Sequence, residues 1–203
     1  MGGHLRLRKS ELRRLLVSTR DRREASEVSA ASRAICAWVV RLEAFRRAAH
    51  LVAYAAHRGE VDPSGIVEAA LADGKIVYFP RVAATGLEFL EASPGDLTPG
   101  AYGIPEPHVG RRLPESVSDL LFLVPGVAFD PAGTRLGRGG GHYDRALAAH
   151  PRGLRVGLAA EAQLSPALPR EAWDQPMDAV VTDRRLLWSA ARPGRTGIKE
   201  NLT

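Results

Sequence analysis

Apolar residues recur along the chain with two periods, and the periods alternate. Leu12, Leu15 and Leu16, with Thr19 beside them, share one side of residues 8–20, the three-to-four spacing of a helix face. Val28, Ala31, Ile35, Trp38, Val39, Leu42 and Phe45 continue that spacing and predict a second, longer helix. "HLVAYAA" (50–56) is short and apolar, and reads as a strand. "EVDPSGIVEAALADGK" carries helix punctuation: Asp62 as N-cap, Pro63 in the first turn, Gly74 past the end. "KIVYFPRV" (75–82) predicts a strand that stops near Pro80, and "LEFLEA" an edge strand. A middle rich in Pro and Gly follows. Then "DLLFLVPGVAF" (119–129) reads as one buried strand. A short helix, "YDRALAAH", and two more strands, "LRVGLAA" and "DAVVTD", complete the pattern.

Strands alternating with helices make βαβ units. The expected class is α/β: a three-layer, mostly parallel open sheet with helices on both faces, Rossmann-like. Residues 1–191 are expected to form one domain, and 192–203 a polar, disordered tail. The 203 residues, 45% hydrophobic and 25% charged, suit one soluble domain with a real core.

Charge and cysteine narrow the function classes. The single cysteine, Cys36, excludes an internal disulfide and fits a reducing, cytoplasmic setting. No run of about 18 apolar residues exists, so no membrane span is expected. The N-terminus, "MGGHLRLRKSELRRLL", lacks an apolar signal region, and Arg6 breaks a myristoylation pattern. The net charge of +5 is carried almost wholly by arginine and is spread along the chain. Aromatic residues are sparse and do not interleave with it. That argues against nucleic acid and leaves small anionic ligands as partners.

One stretch concentrates the chemistry. "GTRLGRGGGHYDR" (133–145) lies between a strand and a helix, where α/β sheets bind ligands. Bare glycine backbone lets N–H groups approach an anion, and a helix N-terminus adds partial positive charge. Arg135 and Arg138 add paired donors for phosphate oxygens. The run is no standard nucleotide motif: it has no P-loop lysine, and its glycines miss the dinucleotide spacing. Asp144 is either a ligand for Mg²⁺ beside phosphate or a first-turn helix acid. Asp178 opens a later strand. Lys9 and Arg13, spaced i, i+4, share a helix face that either grips phosphate or is merely solvated. Glu60 follows a strand end, an active-site position in this architecture.

These blocks together resemble the 5-formyltetrahydrofolate cyclo-ligase family. The resemblance rests on "RKSELRRLL", "VAYAAHRGEVDPSGIVEAALADGKIVYFPRV", "YGIPEP", "DLLFLVPGVAFDPAGTRLGRGGGHYDRAL" and "VGLAAEAQLSPALPREAWDQPMDAVVTD", and covers roughly residues 5 to 187. It implies an ATP- and Mg²⁺-dependent ring closure of 5-formyltetrahydrofolate to 5,10-methenyltetrahydrofolate, with ADP and phosphate released. It implies a monomeric enzyme with ATP as co-substrate. Lys9, Arg13 and the loop Arg135, Leu136, Gly137, Arg138, Gly139, Gly140, Gly141, His142 and Tyr143 would meet ATP. Ala55, Glu60, Arg138, Gly139, Gly140, Gly141 and His142 would meet the folate. Arg138 and Glu60 would act in catalysis, with Glu60 bonding the pterin or positioning N5 and N10. Asp144 and Asp178 would hold Mg²⁺. Two positions depart from the family pattern. The loop ends Gly-His142-Tyr143-Asp where Gly-Tyr-Tyr-Asp is usual, and Ala55 stands where many relatives carry a larger apolar residue. The rival readings are another phosphate-ligand α/β enzyme, such as a sugar-phosphate isomerase or coenzyme A transferase, and a basic nucleic-acid-binding module.

Overall fold

The computed structural model describes residues 2–84 and 86–189. The expected tail from Arg192 lies outside the described residues. Three helices open the chain: α1 (Gly2–Asp21), α2 (Ala25–Val39) and α3 (Glu43–Arg47). Then come β1 (His50–Val52), α4 (Ser64–Ala72), β2 (Ile76–Ala83) and β3 (Gly86–Glu91). A small hairpin pairs β4 (Leu97–Pro99) with β5 (Pro105–Pro107). The strands β6 (Leu120–Val124), β7 (Ala128–Phe129) and β8 (Arg135–Leu136) lead to α5 (His142–Ala149). The described chain finishes with β9 (Leu154–Leu158), β10 (Ala179–Val181) and β11 (Leu186–Trp188).

Seven strands form one sheet in the order β11-β10-β9-β6-β1-β2-β3. Its five inner strands pair in parallel, and both edges pair antiparallel. This is the expected mostly parallel α/β sheet. Alternation along the buried strands builds two cores. Leu121 and Leu123 of β6 join Ile35, Val39, Phe45, Ile66 and Val67 beneath α2, α3 and α4. Leu120, Phe122 and Val124 join Phe89, Phe129 and Leu147 on the α5 face. Strands buried on both faces are apolar at every position, which is why β6 reads as an unbroken run.

Four expected boundaries change. The second helix does not run through Phe45. It ends at Val39, Leu42 takes extended backbone with ψ 135°, and α3 starts afresh. Breaking there sinks both Leu42 and Phe45 into the core. Asp62 is not the N-cap; Pro63 is, and Asp62 accepts the Ser64 N–H at 2.9 Å instead. The buried run 119–129 is two strands, because Pro125 and Gly126 turn the chain and β7 pairs with β8 rather than with the large sheet. Finally, β2 passes through Pro80. Tyr78 presents its carbonyl to the Ala53 N–H, so the same edge of Pro80 faces a flank that β1 has already left. A missing N–H costs nothing there.

Candidate functional site

One pocket lies at the carboxyl ends of the parallel strands. Tyr54 and Ala55 after β1, Pro80 and Val82 of β2, and Pro125–Val127 after β6 all line it. The glycine-rich loop between β8 and α5 forms the opposite wall. Gly139 (φ 108°) and Gly141 (φ 63°) hold backbone that side chains avoid. Helix α1 packs Leu12 and Leu16 against Ala128, Leu136 and Leu168, which points its basic face into the pocket.

The expected site residues meet here with one exception. Lys9, Arg13, Ala55, Glu60, Arg135, Leu136, Gly137, Arg138, Gly139, Gly140, Gly141, His142, Tyr143 and Asp144 all line this pocket. Asp178 does not. It precedes β10, at the amino end of the parallel strands, and its Oδ2 accepts the Arg155 N–H at 2.8 Å. It serves strand pairing there, and the expected Asp144–Asp178 pair is not assembled.

Each cation in the pocket has a defined partner. Lys9 is only 7% exposed, and its Nζ pairs with Glu171 (3.0 Å) and with Asp174. Arg13 donates through Nε to the Gly137 carbonyl at 2.7 Å and so ties α1 to the loop. Arg135 donates to Asp144 Oδ2 at 3.0 Å and lies over the Tyr143 ring. The other Asp144 oxygen accepts the Gln175 N–H at 3.1 Å. Arg138 reaches across to Glu60 Oε1 at 3.1 Å. His142 sits 3.3 Å from an Arg145 nitrogen, on the exposed side of the loop.

Glu60 is a firmly held carboxylate of the pocket. Besides Arg138 it takes Arg20 Nη1 at 3.3 Å and the His57 N–H at 3.1 Å. Arg20 is 2% exposed, so this support comes from inside the fold. The electrostatics around it are consistent. Burial first, and then the Glu60 charge, push the Tyr54 and Tyr143 phenols well above their ordinary range. Partial burial and the nearby Arg138 and Arg58 lower the His57 pKa.

Sequence reasoning missed Arg20, Glu106 and Glu171. Arg20 had a signal, because it continues the face of Lys9 and Arg13 one turn-pair further along α1. Glu106 had none of its own: it reaches the pocket only because the β4–β5 hairpin docks on β2, where Glu106 Oε2 accepts the Val82 N–H. Gln163 braces the floor, donating to the Gly126 and Val127 carbonyls.

A sequence model described as the 5-formyltetrahydrofolate cyclo-ligase family matches residues 6–183. The chain belongs to that family. It is 41% identical over 147 residues to the 5-formyltetrahydrofolate cyclo-ligase of Escherichia coli K12, covering 68% of this chain and 80% of that one. It is 30% identical over 199 residues to a probable 5-formyltetrahydrofolate cyclo-ligase of Schizosaccharomyces pombe, covering 89% and 98%. The solved 5,10-methenyltetrahydrofolate synthetase of Aquifex aeolicus superposes with a TM-score of 0.78 at 35% identity, over 92% of this chain and 94% of that one. As a member of the cyclo-ligase family the chain is a ligase, and its three-layer α/β architecture is that of solved relatives. Among the described residues no helix is long and apolar enough to cross a membrane.

Proposed function

We propose that this enzyme uses ATP to close the ring of 5-formyltetrahydrofolate, giving 5,10-methenyltetrahydrofolate, ADP and phosphate. One observation carries the reading: a single pocket gathers a wall of Lys9, Arg13, Arg135 and Arg138 on bare glycine backbone, and faces it with a fixed Glu60. A formyl oxygen on N5 is a poor leaving group. Its attack on the γ-phosphate of ATP makes an imidate phosphate and releases ADP. N10 then attacks the formyl carbon, loses its proton, and phosphate departs. Both steps move phosphate charge, so the enzyme works by positioning and by electrostatic stabilisation.

Each residue has a role in that scheme. Lys9 and Arg13 receive ATP phosphates, and the loop 135–143 wraps them with its N–H groups. Glu171 and Asp174 release Lys9 as nucleotide arrives. Arg138 meets the transferring phosphoryl group. Glu60, fixed by Arg20 and Arg138, faces N5 and N10 and accepts the N10 proton. His142 and Ala55 border the folate.

The residues also suit Mg²⁺. It takes oxygen ligands, commonly one or two carboxylates completed by substrate phosphates and water. Asp144 offers one carboxylate on the pocket wall beside the cationic loop. When bound, the ion would neutralise phosphate charge. Asp178, bound into the sheet end, is left out of this set.

The deciding assay mixes the protein with 5-formyltetrahydrofolate, ATP and Mg²⁺ and follows the absorbance of the methenyl product. Product forms if the reading holds, and its absence under conditions where a relative works would sink it. Arg138→Ala and Asp144→Ala should each lower turnover at least tenfold with unchanged circular dichroism. Unchanged turnover in both would mean that the loop has another purpose.

A further inference from the structure

We infer that Glu106 is the residue that selects a pterin, by accepting the paired N–H donors of its 2-amino-pyrimidinone edge. This rests on the folate reading and assigns the end of the pocket which that reading leaves undescribed. The pocket is two-sided. Its cationic wall lies along α1 and the glycine loop, while the far end is bounded by Pro80, Val82, Leu87, Ala101 and Ile104. That end is an apolar slot suited to a flat ring. Glu106, 9% exposed, is the carboxylate set into it.

A carboxylate in an apolar slot is costly unless donors surround it. The protein supplies one, the Val82 N–H to Oε2 at 3.0 Å. The side chain is also pinned. A Cβ on Gly100 would stand 2.1 Å from Glu106 Cγ and 2.5 Å from Oε1, so the Glu106 side chain packs into the space that glycine leaves open at residue 100. A buried acid held this firmly, in a slot open to the pocket, is a preorganised acceptor.

The donor pattern of the ligand decides between the two rings in play. A pterin presents N3–H and the 2-amino group side by side, two donors that one carboxylate satisfies together. Adenine places a ring acceptor beside its amino group, and that lone pair would oppose the carboxylate. The arginine wall at the other end fits the phosphates, so the two substrates enter with opposite polarity. Glu60, held by Arg20 and Arg138, is then free of the pterin edge and left to N5 and N10.

The test needs no variant at first. Calorimetric binding of 5-formyltetrahydrofolate to the wild-type protein is compared with binding of its 2-desamino analogue, without ATP. The analogue should bind roughly tenfold to a hundredfold more weakly. Equal affinity overturns the proposal and leaves the folate reading intact, whereas no binding of the parent folate defeats both. Glu106→Gln then keeps an acceptor for the Val82 N–H but turns an amide donor toward the pterin. It should weaken the parent folate by a similar factor, abolish discrimination against the analogue, and leave MgADP affinity and the melting temperature unchanged. If Glu106→Gln weakens MgADP as much as folate, Glu106 supports the fold instead, and the assignment is wrong.

Discussion

Glu60 shows at the residue scale how a carboxylate of the pocket is held still. Three donors from separate segments converge on it: Arg20 at the end of α1, Arg138 in the glycine loop, and the His57 N–H of its own turn. Arg138 is 43% exposed, whereas Arg20 is buried. Arg20→Met removes the buried partner of half-buried Glu60 and of exposed Asp21. We expect a loss on the order of 3 kcal/mol in urea unfolding, together with a raised KM for the folate. An unchanged KM would confine Arg20 to stability. His142 is the residue where the loop leaves its family's pattern, and its half-exposed ring lines the pocket. Replacing it with the usual tyrosine adds ring surface against the folate. His142→Tyr should keep or lower the folate KM, and a tenfold rise would give the histidine a specific role.

The glycine loop is the element on which the site turns. Arg13 ties it to α1 and Arg138 to the 57–60 turn, while Arg135 ties its start to α5 through Asp144. It is therefore a strap with three anchors, its backbone exposed between them. At Gly139 the φ of 108° excludes a side chain, and a Cβ would press on the Arg13 guanidinium at 3.2 Å. Gly139→Ala should cost about 1–3 kcal/mol of backbone strain. The Gly139–Gly141 stretch, beyond the anchors at Gly137 and Arg138, can relieve that strain by shifting. The expected signature is thus a raised KM for ATP with a smaller change in melting temperature, measured by steady-state kinetics and calorimetry. An unaltered ATP KM would show that the strap does not wrap the nucleotide.

The whole molecule is a mostly parallel sheet with the cationic pocket at the carboxyl ends of its parallel strands. Its stability should follow its buried and half-buried phenols. Tyr54, Tyr78 and Tyr143 all have pKa values raised, by burial first and then by the nearby charges of Glu60 or Glu91. The folded chain holds these protons where the unfolded chain, titrating near 10, gives them up. Their stabilisation is complete below pH 10 and is lost as pH rises beyond it. Urea midpoints should fall steeply above pH 10, and phenolate absorbance should jump on unfolding. A flat alkaline profile would contradict the burial of Tyr54 and Tyr78. Much of this architecture is written in the chain's own periodicity. The unbroken apolar run of β6, helical spacing in α1 and α2, and glycines between a strand and a helix are local signals, and each names its element before any contact is known. The cationic half of the pocket is legible for the same reason, because Lys9, Arg13 and the loop act through residue type and spacing. What the sequence left open depends on which elements dock together. The break before α3 exists to bury Leu42 and Phe45, and Pro80 stays in its strand because β1 has already ended. Asp178, equal to Asp144 as a carboxylate near a strand, lies at the opposite end of the sheet. Arg20 and Glu106 become part of the site only when α1 and the small hairpin close on the strand ends. Local pattern determined the elements and the arginine- and glycine-rich loop; packing against distant segments decided which charges share one pocket.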